Sequence, residues 1–239
     1  MPSHNVPLRQ KEQVAEGTMA FHFYKPADFQ FKAGQYMNVT LVEPLETDAE
    51  GNTRSFSIAS APFETDLTVA TRMRDTAFKH VLKAMPSGTE VSIAGPFGSF
   101  TLRENSRAAV FLAGGIGITP FRSMLLQAAR EKLPRRLFLF YSNRRPEDAP
   151  FLEELLPLEA KTDGIRIVGT MTDMQKSRRP WQGEIGYINR EMLAKYVGDL
   201  AVPIYYSAGP PGLVAAMRKM LSEAGINEDD IVTEEFDGY

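Results

Sequence analysis

Residues 108–121 of this chain combine a strand pattern, a glycine turn and a helix start, and few folds accept that combination. Ala108-Ala-Val-Phe-Leu-Ala113 is an uninterrupted apolar run that fits a buried strand, and Gly114, Gly115 and Gly117 follow at once. Thr119 is predicted as the N-cap and Pro120 as the first residue of a helix. Phe121, Met124, Leu125 and Ala128 then recur at helical spacing, so the helix packs back on its strand. Such a turn brings bare backbone N–H groups and the positive end of a helix dipole to one point, which is a site for an anion. A pyrophosphate is the usual occupant. The spacing is not the dinucleotide fingerprint Gly-x-Gly-x-x-Gly, because Pro120 stands at the third glycine position. The same letters also serve as plain strand-to-helix punctuation, so the turn needs support from elsewhere.

That support comes from organisation. Beyond 108 the chain alternates strand and helix: 108–113 then 120–131, 136–142 then 147–155, 165–170 then 188–196, 203–207 then 211–223, and a last strand near 230–236. This predicts an α/β domain with a five-stranded parallel sheet covered by helices. Before 104 the runs at 18–24, 36–42, 55–59, 67–73 and 90–93 are β-rich and split by Gly, Pro, Asp and Asn, with one helix over 76–85. They predict a small six-stranded antiparallel β-barrel. Arg103–Arg107 is the expected hinge, dividing the chain into 1–104 and 105–239. The acids Glu43, Glu46, Asp48 and Glu50 are read as a solvated turn. At 239 residues there is room for two such domains, and a net charge of −3 argues against a nucleic-acid partner. Without cysteine the chain holds no disulfide, thiolate zinc or iron–sulfur cluster, and His4, His22 and His80 are too scattered to suggest a metal site. No apolar run reaches the ~20 residues of a membrane helix and the N-terminus lacks a signal-peptide pattern, so a cytoplasmic protein is expected.

Arg54-Ser-Phe-Ser57 falls on a strand, so Arg54 and Phe56 share one face and Ser55 and Ser57 the other. An arginine beside an aromatic can clamp a phosphate and stack on a planar ring. In order, the chain carries Phe31-Lys-Ala-Gly-Gln-Tyr36, Arg-Ser-Phe-Ser, Gly95-Pro-Phe-Gly98, Gly114-Gly-Ile-Gly-Ile-Thr-Pro120 and Ser207-Ala-Gly-Pro210. Each piece is weak, but the ordered set resembles the ferredoxin–NADP reductase family across nearly the whole chain.

The resemblance implies a barrel that holds FAD and a parallel sheet that binds NAD(P)H. It places Arg54 on the flavin pyrophosphate, Phe56 where most members stack a tyrosine on the isoalloxazine, and the Ser57 hydroxyl near flavin N5, with Ser55 in the same motif. Backbone groups of Thr71, Arg72 and Met73 would hold the pyrimidine edge, and the helix start at Thr76-Ala77-Phe78 would serve the phosphates. Here the chain departs from the family, whose usual Gly and Ser become Thr76 and Lys79. Gly114, Gly115, Ile116, Gly117, Thr119 and Pro120 would cradle the nicotinamide dinucleotide, with Ala208, Gly209 and Pro210 beside the nicotinamide and Ala208 replacing the usual cysteine.

Glu234-Glu-Phe236 matches the family's closing acid-x-aromatic pattern, so Glu234 and Phe236 join Ser57 as expected catalytic residues. Either Phe236 or Tyr239 could cover the flavin. Asn143 ends a strand and is an expected cofactor-binding residue; Arg144 and Arg145 after it could meet a 2′-phosphate, as could Arg178 or Arg179, whereas Asp173 favours ribose hydroxyls and tilts the expectation to NADH. The implied activity is NAD(P)H oxidation at bound FAD with electrons passed to a separate acceptor: a ferredoxin, a flavodoxin, a haem protein or an oxygenase. A flavin reductase using free flavin and a redox-inactive nucleotide-binding protein are the alternatives.

Overall fold

The computed structural model describes residues 3–236, which form two six-stranded sheets one after the other. In the first, β1 (Ser3–Ala15), β2 (Thr18–Tyr24), β3 (Tyr36–Leu41), β4 (Thr53–Ser57), β5 (Asp66–Arg72) and β6 (Glu90–Phe97) pair antiparallel in the order β4-β3-β6-β1-β2-β5. The six strands expected for the barrel are present. No β-rich run announces β1, because its letters are mostly polar. Only Val6 and Leu8 of this strand are fully buried. It nonetheless sits centrally, pairing with β6 through Ser3–Pro7 and with β2 from Leu8 onward, and its register shifts between Leu8 and Gln10. A shift of this kind bends a strand, which lets β1 turn the corner between its two neighbours.

The two outer strands close on each other just beyond β4. Ala59 N–H donates to the Thr68 carbonyl at 2.8 Å and Thr68 N–H donates to Ser60 Oγ at 2.9 Å. Phe21, Phe23, Met37, Val39, Leu67, Val69, Val91 and Ile93 fill the barrel, and α1 (Ala77–Ala84) adds Phe78 and Leu82 from one end. Thr76 caps that helix, accepting from Lys79 N–H.

The second sheet contains β7 (Ala109–Gly114), β8 (Leu137–Asn143), β9 (Ile165–Met171), β10 (Glu184–Ile185), β11 (Ile204–Gly209) and β12 (Ile231–Glu235), all parallel in the order β10-β9-β8-β7-β11-β12. It has six strands rather than the expected five. The extra strand, β10, spans two residues and is too short for any periodicity to announce it. Helices α2 (Ile118–Glu131), α3 (Leu152–Lys161), α4 (Arg190–Val197) and α5 (Pro211–Glu223) cover the sheet. Helix α3 starts later than the expected 147, because Pro146–Asp148 closes a separate tight turn first. The central strands β7 and β11 are buried along their whole length, on both faces, as interior strands of parallel sheets require, while the edge strands β10 and β12 are not.

The halves share one core. Ala20, Ala59, Ala70 and Phe100 from the barrel pack in the same cluster as Phe111, Phe121, Met124 and Ala128, and the Phe111 and Phe121 rings stack at 4.8 Å. Polar groups reinforce the seam. Ser123 Oγ donates to the Ser60 carbonyl at 2.7 Å, and Arg122 Nη1 donates to the Ala59 carbonyl at 2.8 Å and to Glu64 at 3.0 Å. Arg122 Nη2 also donates to Glu154 at 2.6 Å, so one buried guanidinium on α2 ties the barrel to α3.

Candidate nucleotide site

On β4 the alternation read from sequence holds. Arg54 and Phe56 both lean on Phe78 of α1: the guanidinium carbon lies 5.2 Å from that ring and the Phe56 ring 5.9 Å from it. On the other face Ser57 is buried and Ser55 is exposed, its Oγ donating to Asn38 at 2.7 Å. Arg54 therefore stands beside the N-terminus of α1, whose own first turn carries no acid.

Of the loop acids read as a solvated turn, Glu43, Glu46 and Glu50 are exposed, whereas Asp48 is half-buried. Asp48 accepts from Arg54 Nη2 at 3.2 Å through Oδ1 and from Ala77 N–H at 3.1 Å through Oδ2. Glu50 pairs with Arg54 at 2.9 Å, Glu46 with His80 at 3.2 Å, and Arg54 also donates to the carbonyls of Glu50, Gly51 and Thr53. Composition could not show this, since the contact depends on a loop folding onto a helix 29 residues away.

Thr71, Arg72 and Met73 form the end of β5 and the residue after it. Met73 N–H donates to Gly17, whereas Thr68 turns its backbone groups to Ala59 and Ser60. Alternation along an antiparallel strand then turns Arg72 outward as well, leaving its backbone N–H on the open edge while its C=O accepts from Thr71 Oγ1 at 3.4 Å.

Across the seam, the glycine turn follows β7. Residues 115–117 make a tight helical turn before α2, so Gly117 takes the N-cap position. Thr119 is not the cap and Pro120 is not the first helical residue: Thr119 is buried one position inside α2, with its Oγ1 donating to the Ile116 carbonyl at 3.0 Å. The glycines do different jobs. A Cβ on Gly117 would stand 2.2 Å from the Ala208 carbonyl oxygen, so glycine is what lets β7 and β11 end side by side. Gly115 has φ +54°, and a Cβ there would meet nothing within 4 Å, so its surface is open. Tyr141 pins this turn by donating to the Gly115 carbonyl at 2.9 Å.

The other expected residues of this half collect at the carboxyl ends of the strands, where open α/β sheets bind ligands. Ala208 and Gly209 lie in register with Glu234 and Glu235, and Pro210 leads into α5. Phe236 N–H donates to the Gly209 carbonyl at 3.0 Å, and the Phe236 side chain packs on the shared core. Tyr239 lies outside the described residues.

Glu234 is the most distinctive group here. Its Oε2 is buried with no hydrogen-bond partner among the described residues, and burial pushes its pKa up to about 7. Asn143 Nδ2 and Ser207 Oγ are likewise buried without partners among the described residues. Buried orphan polar atoms are rare in finished structures, and two of these, on Glu234 and Asn143, lie at the carboxyl end of the sheet on the same face as Ala208 and point to a polar ligand that completes them, whereas the register puts Ser207 on the opposite face.

At the far edge Arg145 is held by Asp148 and Glu16, Arg178 by Glu16 and Arg179 by Glu153. Arg144 is exposed and forms no ion pair among the described residues, while Asp173 pairs with Lys176 at 2.7 Å.

Two family models match the chain. Residues 5–102 match the oxidoreductase FAD-binding domain model and residues 111–219 the oxidoreductase NAD-binding domain model. One component of the Na(+)-translocating NADH-quinone reductase of Pasteurella multocida is 31% identical over 159 residues, covering 65% of this chain and 39% of that protein. Its Yersinia enterocolitica counterpart is 28% identical over 235 residues, 91% of this chain and 58% of that one, so the chain spans little more than half the length of such relatives. Among solved structures, the FAD/NAD-binding domain of a Vibrio cholerae nitric oxide dioxygenase superposes with a TM-score of 0.82 at 19% identity, covering 97% and 98% of the two chains. A Neisseria gonorrhoeae ferredoxin NADP+ reductase with bound FAD and NADP gives 0.78 at 18% identity over 98% of each chain. The fold and site define a two-domain flavin and nicotinamide oxidoreductase. The chain belongs to the ferredoxin–NADP reductase family and is an NAD(P)H-dependent FAD oxidoreductase.

Proposed function

We propose that this enzyme draws on NADH rather than NADPH and hands electrons to a separate acceptor. The observation that carries the donor choice is the state of the arginines. Arg145, Arg178 and Arg179 are already paired with carboxylates, and Asp173, itself paired with Lys176, would accept from ribose hydroxyls rather than meet a 2′-phosphate. The Na(+)-translocating NADH-quinone reductase relatives support the same donor. These 239 residues contain no cysteine to hold an iron–sulfur cluster, so the acceptor group we propose lies outside them.

The residues present fit the two cofactors. Arg54, Thr76, Ala77 and Phe78 would hold the flavin diphosphate, with Lys79 as a further cation; the edge of β5 at Thr71, Arg72 and Met73 would hold the ring, and Phe56 would pack beside it. Gly114, Gly115, Ile116, Gly117, Thr119 and Pro120 would receive the nicotinamide dinucleotide, with Asn143, Arg144 and Asp173 at its ribose end and Ala208, Gly209 and Pro210 at its reacting end. Bound FAD supplies two-electron acceptance and one-electron release, while the protein supplies alignment. Within that alignment Ser57 offers a buried hydroxyl and Glu234 a carboxyl that carries its proton near neutral pH. Met124 lies in the apolar core that the two halves share, and Phe236 packs against it.

Anaerobic stopped-flow bleaching of the flavin with each donor tests the reading, and NADH should be the faster at equal concentration. Faster bleaching by NADPH overturns it, and Arg144→Ala should then restore preference for NADH.

A further inference from the structure

In this structure an anion already occupies the place where the flavin diphosphate belongs. Three positive groups meet at the N-terminus of α1: the Arg54 guanidinium, the Lys79 ammonium and Arg74 nearby. Lys79 has its pKa lowered first by burial and then by the charges of Arg74 and Arg54, with Glu50 acting the other way. Such a cluster is unfavourable unless an anion sits among it. Asp48 meets that need with both oxygens, one on Arg54 at 3.2 Å and the other on Ala77 N–H at 3.1 Å. These are an arginine N–H and a helix N-terminus, donors that an oxyanion of phosphate would also take. Glu50 adds a second carboxylate to Arg54 but does not reach the helix. Asp48 also holds its own loop shut, because its Oδ1 accepts from Glu50 N–H at 3.0 Å.

We propose that Asp48 is an internal stand-in for the flavin phosphate, which leaves Arg54 and Ala77 when FAD enters and thereby sets how tightly this enzyme holds its flavin. The proposal rests on the reading that places the FAD diphosphate at Arg54 and α1. A phosphate entering the site has to displace a carboxylate from the same donors. Flavin affinity is therefore the difference between two anions competing for one set of partners, and the 43–50 loop opens as the flavin seats. A flavin without phosphates has no quarrel with Asp48.

Equilibrium dialysis of the full chain against FAD and, separately, riboflavin tests this. Asp48→Asn keeps an oxygen for Ala77 N–H and loses the charge, so the fold is retained and the competition weakened. FAD should bind about tenfold more tightly to Asp48→Asn than to the parent, with riboflavin affinity unchanged and a smaller gain for Glu50→Gln. Hydrogen exchange at the Glu50 amide should become faster when FAD binds, since its acceptor leaves. Equal or weaker FAD binding by Asp48→Asn, an equal gain for riboflavin, or an equal gain for Glu50→Gln each overturns the role of Asp48 while leaving the flavin site standing. Failure of the parent and the variant alike to bind FAD removes the underlying reading and the proposal together.

Discussion

Glu234 is the residue whose chemistry depends most on its surroundings. A carboxyl with an ordinary pKa of 4.5 is pushed up to about 7 by burial, so its neutral form is favoured in the folded protein. The folded state therefore binds a proton that the unfolded state releases between those values, and stability falls as pH rises through that window and levels off above it. With one proton at stake the slope reaches at most about 1.4 kcal/mol per pH unit. Glu234→Gln cannot ionise. Denaturant unfolding of the two proteins from pH 4.5 to 8 should show the parent losing stability relative to the variant, and parallel curves would show that the carboxyl is not buried as described. The rate of flavin reduction should show a bend near pH 7 in the parent that the variant lacks.

At the scale of elements, the turn between β7 and α2 carries two demands that one glycine each satisfies. Gly117 has backbone of β11 where its Cβ would be, whereas Gly115 needs only its positive φ. Gly117→Ala should destabilise the protein strongly, by more than the 1–3 kcal/mol typical of overpacking, because the obstacle is backbone and not a side chain that can swing away. Gly115→Ala should cost about 1 kcal/mol from φ alone, and thermal melts of the two variants would rank them. The same turn shows what a sequence reveals. Its place after an apolar strand is legible, because a buried parallel strand is a continuous hydrophobic run. Its internal geometry is not, since the helical turn at 115–117 begins before any capping residue and leaves Thr119 inside α2. β1 and β10 leave no clear signal for related reasons: one takes its strand character from two neighbours rather than from its own polar letters, and the other has only two residues. The motif residues of both halves are legible as types, but the grip of Asp48 on α1 exists only once the barrel has closed.

At the scale of the molecule, hydride transfer needs donor and acceptor held roughly 3–3.5 Å apart, so the angle between the halves is itself a functional quantity. Arg122 is the group best placed to hold it. Its side chain is 8% exposed, and it joins the Ala59 carbonyl and Glu64 of the barrel to Glu154 of α3. Although burial disfavours its charge, the hydrogen bonds to Glu154 and Glu64 outweigh that and its pKa stays raised. Breaking a buried ion pair by removing one partner costs about 3–5 kcal/mol, and here less, because both carboxylates reach water and can be solvated when the arginine is gone. Arg122→Met keeps much of the volume and removes the fork, so it should lower the melting temperature by several degrees while leaving the flavin contacts proposed for the barrel in place. A misplacement of about 1 Å can cost on the order of 100-fold in rate, so NADH-driven bleaching should slow far more than FAD affinity falls. Stopped-flow reduction and equilibrium dialysis on the same preparation separate the two effects. If both fall in proportion, Arg122 supports the barrel alone; if neither changes, the packed aromatic core of Phe100, Phe111 and Phe121 holds the halves in register without it.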